Sequence, residues 1–336
     1  MRQSPSGRAP WFVWILLVGV VVCTKPGRAD TTWNAWVGAQ SKDMGHQALA
    51  FLPNEIWIHE NDSITWHWGA DEPHTVTFMT SMQVRPIDFT QGCGGTPPFA
   101  TSPATFDGTK CVSAPPLMKP GTFTIQYTKV GNYKVVCLLH PDMTGTIHVL
   151  KAADPLPHDQ SYYDAQADDQ ADHILSEADH DLHGNHGGWM HAATHGITVG
   201  DGEILANGGG KSTAALMRFT DSTMTVHVGD TVEWVNRDPA TPHTITFGTE
   251  PPENLLPIPS ADVKLDDDGA RHATLHHPGD STHSGFIVAA TEEVPFTPTP
   301  PPGPTRFRVT FTGAGTYPFI CALHDGLGMT GQITVK

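Results

Sequence analysis

Two stretches of the 336-residue chain place the same reactive side chains in the same order. VVCLLHPDMTGTIHVL carries Cys137, His140 and Met143, and FICALHDGLGMTGQITV carries Cys321, His324 and Met329. A further histidine lies upstream of each in matching surroundings, His74 in EPHTVTF and His243 in TPHTITF. Thiolate and thioether sulfur favour Cu(I), and imidazole accepts both oxidation states of copper. Two imidazoles and a thiolate in a plane, with a long axial thioether, form an electron-transfer site. Zinc would use cysteine and histidine, but its structural sites prefer more thiolates and have no use for a methionine. A lone Cys-x-x-His is commonplace. Two in register, each with an upstream Pro-His-Thr and each followed by Thr-Gly, point to two mononuclear copper sites.

The elements that must hold these residues are duplicated as well. Counting back from the two cysteines without gaps, Phe123, Thr128, Gly131 and Tyr133 fall opposite Phe307, Thr312, Gly315 and Tyr317. A repeat of this length with matching polar positions marks an internal duplication. Segments such as EIWIH, SITWHW, TFTIQYT and GTIHVL alternate apolar and polar residues between Gly, Asn and Asp turns, the pattern of short antiparallel strands. The expected class is all-β, with two tandem sandwiches over residues 31–151 and 196–336. The intervening residues 152–195 form an acidic, His-rich linker, with nine acidic residues and no Lys or Arg between Asp154 and Met190. Tyr163, Ala167, Ala171, Ile174, Ala178 and Leu182 recur every three or four residues there, which predicts a helix docked on a sandwich. Asp159 or Ser161 could cap its start and Gly184 could end it. Pro-rich FTPTPPPGPT at 296–305 belongs to an insertion within the second unit.

On these motifs both units resemble cupredoxins, the type 1 blue copper family. CLLHPDM has the short Cys-to-Met spacing of amicyanin-like members, and CALHDGLGM the longer one of plastocyanin- and pseudoazurin-like members. The resemblance implies Greek-key β-sandwiches, two type 1 coppers and electron transfer. Its ligands would be His74, Cys137, His140 and Met143 in unit one, and His243, Cys321, His324 and Met329 in unit two. Two features depart from the family pattern. The residue after the upstream histidine is often Asn in the family and here is Thr75 or Thr244, so its hydrogen bond must differ. The stretches between the upstream histidine and the cysteine are long and imply inserted loops. Multicopper oxidases carry His-x-His pairs, which this chain lacks; copper nitrite reductases carry a histidine directly before the cysteine, where Val136 and Ile320 stand. An electron carrier is therefore expected over a two-domain oxidase or nitrite reductase, and over a copper storage or delivery protein.

The N-terminus has the layout of a secretory signal: Arg2 and Arg8, a 13-residue apolar run, then a polar stretch ending Gly27-Arg28-Ala29. Cleavage after residues 1–29 would leave no membrane span and place the chain in the periplasm or outside the cell. Losing the four basic residues of that segment takes the formal charge from −16 to about −20. So acidic a chain excludes nucleic acid as a partner and favours basic redox proteins; its oligomeric state stays open. Of the four remaining cysteines, Cys93 and Cys111 make the simplest disulfide in an oxidising compartment, leaving the two motif thiols free. The seven histidines of the linker region (158, 173, 180, 183, 186, 191, 195) and His276 and His277 read as solvated side chains. Trp68 and His67, near the first upstream histidine, offer an electron path, though Trp68 reads first as a core or interface residue.

Overall fold

The computed structural model describes residues 1, 29–86, 89–183, 195–289 and 304–336, apart from the side chains of 179–183. Most of the leader, the Pro-rich insertion, and the side chains of Leu182, His180, His183, His186 and His191 lie outside the described residues.

The first half contains strands β1 (Thr32–Gln40), β2 (His46–Leu52), β3 (Glu55–His59), β4 (Ser63–Trp68), β5 (Thr77–Phe78), β6 (Ala104–Phe106), β7 (Val112–Ser113), β8 (Thr122–Tyr127), β9 (Gly131–Val136) and β10 (Thr144–Leu150). Helix α1 (Gln160–His183) follows. The second half contains β11 (His195–Ala206), β12 (Lys211–Phe219), β13 (Thr223–Val226), β14 (Thr231–Asn236), β15 (Thr246–Phe247), β16 (Lys264–Leu265), β17 (Arg271–Leu275), β18 (Thr282–His283), β19 (Arg306–Phe311), β20 (Gly315–Ile320) and β21 (Thr330–Val335). The chain is thus almost entirely β, with one long helix.

In each half a short sheet carries the copper-motif strands, in the order β3-β10-β9-β5-β7 or β13-β21-β20-β15-β18. Each packs on a second layer through the inward residues of alternating strands. Ile64, Trp66 and Trp68 point inward from β4, and Phe123, Ile125 and Tyr127 from β8. Trp66 meets Phe51 edge-on with ring centroids 5.6 Å apart, and Trp234 meets Phe319 likewise at 5.3 Å. The duplicated tyrosines act alike: Tyr133 donates to the Lys129 carbonyl and Tyr317 to the Gly313 carbonyl, four residues upstream in both cases. Cys93 and Cys111 form a disulfide that ties the first inserted loop.

The second layer is not two sheets but one. Eleven strands run β16-β17-β19-β14-β11-β12-β2-β1-β4-β8-β6, joined where β12 pairs antiparallel with β2, Thr213 opposite Leu49 and Leu216 opposite His46. Helix α1 lies over this seam. Ala167, Ile174 and Ala178 are buried against Ala48, Ala50 and Leu52 of β2 and Ala214 of β12. Alanines on both surfaces let the helix approach closely. Asp159 caps the helix, its carboxylate accepting from Tyr162 N at 3.0 Å. Tyr163 reaches the edge strand β3, where its hydroxyl accepts from Trp57 N at 2.9 Å and donates to Trp57 O at 3.2 Å. It thereby occupies backbone groups that an open edge would leave bare.

Tyr163→Phe keeps the ring and strips the edge of both bonds; it should cost about 1–3 kcal/mol in chemical denaturation. Ala178→Glu, which forces a charge into the seam, should cost more and lower the melting temperature of the whole chain rather than of one half.

Candidate metal centres

Each centre is assembled from two places. The strand segment ending in β5 supplies His74 and the loop from β9 to β10 supplies Cys137, His140 and Met143; the segment ending in β15 and the loop from β20 to β21 supply the second set. All eight side chains are buried. The loops are closed by their own backbone, Cys137 N donating to Met143 O and Cys321 N to Met329 O, both at 3.0 Å.

In the first centre Cys137 Sγ is 3.9 Å from His74 Nδ1 and 3.5 Å from His140 Nδ1, and the two Nδ1 atoms are 3.0 Å apart. In the second centre the corresponding distances are 3.7, 3.4 and 3.0 Å. A circle through either set of three atoms has a radius of about 2 Å, close to a metal–nitrogen bond length and slightly short of a metal–sulfur one. The donors therefore already surround a point suited to one transition-metal ion. Soft thiolate plus imidazole, with a buried methionine in the same cluster, is a donor set for copper. Among the described residues, these two His-Cys-His groups are the clusters of His, Cys, Asp or Glu with donor atoms close enough to hold a metal.

Burial opposes ionisation of both thiols, yet both are pulled below the usual range. For Cys137 the adjoining His140 and His74 outweigh burial and bring the thiol well down; for Cys321 His324 and the backbone N–H of Thr244 do so. His140 is likewise pushed up to about 10, as the Cys137 and Glu72 charges overcome burial. The lowered thiols favour the thiolate, the form a metal binds.

The two threonines after the upstream histidines take over a positioning task. Thr75 Oγ1 accepts from Leu138 N, and Thr244 Oγ1 from Ala322 N, both at 2.7 Å. Each hydroxyl pins the residue beside the cysteine to the strand beside the histidine. Arg85, from the inserted loop, donates to the carbonyls of Pro141 (3.0 Å) and Cys137. Trp68 is a core residue whose indole donates to the His74 carbonyl at 3.0 Å. His67 stands away, tilted against Trp36.

Several contributors carry no sequence motif. Gly38 (φ 68°) and Gly200 (φ 60°) sit at equivalent bulges in β1 and β11 and press on the outer face of the upstream histidines. A Cβ on Gly38 would lie 2.7 Å from His74 Nε2, and one on Gly200 2.3 Å from His243 Nε2. The matching bulges, once aligned, are the signal that could have revealed them. The outer nitrogens themselves differ. His243 Nε2 meets the buried Asp238 carboxylate at 3.1 Å, whereas His74 Nε2 finds no hydrogen-bond partner among the described residues.

The two centres also share a residue. Glu72, buried, lies with Oε1 3.3 Å from His140 Nε2 and Oε2 3.5 Å from His324 Nε2. Burial would raise its pKa, but His324 and His140 bring it down to about 2, so it is a carboxylate. Around it the second unit's loop enters the first unit: Leu327 joins the first unit's core cluster, and Arg218 of β12 donates to Leu327 O (2.8 Å) and Asp43 O (2.6 Å).

The remaining histidines lie elsewhere. His158 stacks on Tyr162, His173 faces Glu177, His195 faces Asp230, and His276 bonds Thr312.

A family model described as "Copper binding proteins, plastocyanin/azurin family" matches residues 206–336. Plastocyanin of Scenedesmus fuscus is 31% identical over 127 residues, 38% of this chain and 94% of its own. Plastocyanin of Nostoc punctiforme is 30% identical over 121 residues, covering 36% of this chain and 66% of that one. Among solved structures, oxidised plastocyanin from Dryopteris crassirhizoma has a TM-score of 0.23 at 20% identity, over 42% of this chain and 99% of that one. An oxidised amicyanin variant has a TM-score of 0.23 at 17% identity, over 35% of this chain and 81% of that one.

Gly38→Ala and Gly200→Ala should each weaken metal binding at one centre and spare the other, because a methyl would displace one histidine ring in a backbone conformation that already disfavours it. Metal titration of the two variants, read as stoichiometry and affinity, checks this.

Proposed function

The chain belongs to the plastocyanin/azurin family of copper-binding proteins, and from that membership we propose that it is an exported carrier of single electrons with one type 1 copper in each unit. The observation that carries the reading is the pair of buried His-Cys-His triads, each with its three donors about 2 Å from a common point. His74, Cys137 and His140 would hold one ion with Met143 as the axial donor; His243, Cys321 and His324 would hold the other with Met329. Copper bound there supplies exchange between Cu(I) and Cu(II). The chain contributes a rigid cradle, with loop backbones closed on themselves and threonine hydroxyls fixing the cysteine against the histidine strand. Burial keeps water from the donors.

Two observations weigh against catalysis. All the donor side chains are buried, and no two histidines in the sequence are spaced as His-x-His. The acidic composition suits a basic redox partner. Export rests on the leader-like N-terminus; among the described residues no helix is long and apolar enough to cross a membrane.

The loaded protein should bind two coppers per chain. Cys137→Ser should remove the intense copper–thiolate absorption of one site and Cys321→Ser that of the other. A third copper with type 2 EPR features, together with steady turnover of nitrite or a phenol, would move the chain to the enzymes. The sites should also differ in potential. The buried Asp238 carboxylate, 3.1 Å from the outer nitrogen of His243, adds a negative charge behind that ligand and so favours Cu(II) in unit two. Asp238→Asn in the Cys137→Ser background should raise that site's potential, as read by spectroelectrochemistry.

A further inference from the structure

The two centres meet through one side chain. His140 and His324 both offer Nδ1 to their own triad, which leaves Nε2 as the outward N–H of each ring. Both outer nitrogens turn to Glu72, and they use different oxygens of it, Oε1 at 3.3 Å and Oε2 at 3.5 Å. Neither ring reaches the surface, His140 being 2% and His324 1% exposed. These ligand edges therefore face each other and not an external partner. Glu72 is also two residues from His74, so the segment that supplies a donor to the first centre supplies the link to the second. At the matching position of the duplicate stands Thr241, which gives the pair of sites one carboxylate between them.

We propose that Glu72 joins the two centres into one redox unit, in which an electron passes within the chain along His140, the Glu72 carboxylate and His324. The proposal rests on both centres holding copper. In the step, one electron leaves Cu(I) at one site and converts Cu(II) at the other to Cu(I). Both protons stay on the Nε2 atoms, and no further reactant is needed. The route is short: ion-pair contacts of 3.3 and 3.5 Å link the two rings through one carboxylate. The longer one, at His324 Nε2, falls short of a hydrogen bond, and both lie in a buried region where electrostatic contacts are stronger than in water. The carboxylate also places one negative charge between two centres that each carry net positive charge when oxidised, so it should lower both potentials together.

Two substitutions separate span from charge. Glu72→Gln keeps the shape but has a single acceptor oxygen, so it can serve one imidazole N–H and turns a donor to the other. Glu72→Asp keeps the charge but is too short to hold both rings. The experiment first counts copper per chain in each protein. It then gives the oxidised two-copper protein a substoichiometric pulse of reductant and follows the concentration-independent approach of the two visible bands to equilibrium. Cys137→Ser and Cys321→Ser supply the single-site spectra. Exchange should slow by about tenfold or more in both Glu72 variants, the scale on which partners behind metal ligands act. Equilibrium redox titration should show both potentials raised in Glu72→Gln and neither in Glu72→Asp, a split that mere loosening of the fold would not produce. One copper per chain in the parent would overturn both the two-copper reading and the bridge. Two coppers with unaltered exchange in both variants would overturn the bridge alone, and a rise confined to one potential in Glu72→Gln would overturn its sharing.

Discussion

The ladder between His46–Leu52 and Lys211–Phe219 determines where the two centres lie relative to each other. Backbone pairing leaves little freedom in register, because a slip of one residue would turn every side chain of β12 to the wrong face. With that register set, the two sandwiches become parts of one sheet, and the loop ends carrying His140 and His324 come to the same buried carboxylate. Helix α1 reinforces the constraint by covering β2 and β12 together. The linker thus does more than connect: it seals the joint on which the spacing of the sites depends.

The two copper loops differ by two residues between histidine and methionine, and the structure gives those residues a use. In the second unit they allow a short turn at Asp325–Leu327, ended by Gly328 in the left-handed region (φ 91°). The turn lifts Leu327 into the first unit's core cluster and presents its carbonyl to Arg218. Arg218 also binds the Asp43 carbonyl. The longer loop is therefore a docking element as well as a ligand loop. The shorter loop also touches the other unit, but through Asp142 and Thr144, which accept from Lys211 of β12 at 2.9 and 3.0 Å, and not through an apolar side chain in the other core.

Much of the site was legible in sequence because its residues are chemically rare and repeated. Two thiols in register with His and Met leave few alternatives, and the helix stripe and Asp159 cap follow from local rules that tertiary packing did not override. The missing parts share a different origin. HQALAFL and KSTAALMRF carry no motif, and nothing local says that they pair with each other rather than with water or a second chain. Gly38 and Gly200 matter through a ring distant in sequence. Asp238 and Glu72 belong to no ligand motif, and each gains its role only after folding carries it to a histidine nitrogen. Long-range pairing sets these positions, and it leaves no periodicity to detect.

Duplication also explains why the shared residue is single. Copying a unit copies its donors, so two centres turned toward each other present two imidazole N–H groups of the same sign. One carboxylate has an oxygen for each, and its charge is compensated by both rings. Position 241 is buried and its hydroxyl has no hydrogen-bond partner among the described residues, so a second carboxylate there would be a buried charge without a donor, which costs several kcal/mol. The departure from repeat symmetry at Glu72 and Thr241 is thus what the physics of a paired, buried site favours. Like ligands can face each other across the interface only if what lies between them is not itself duplicated.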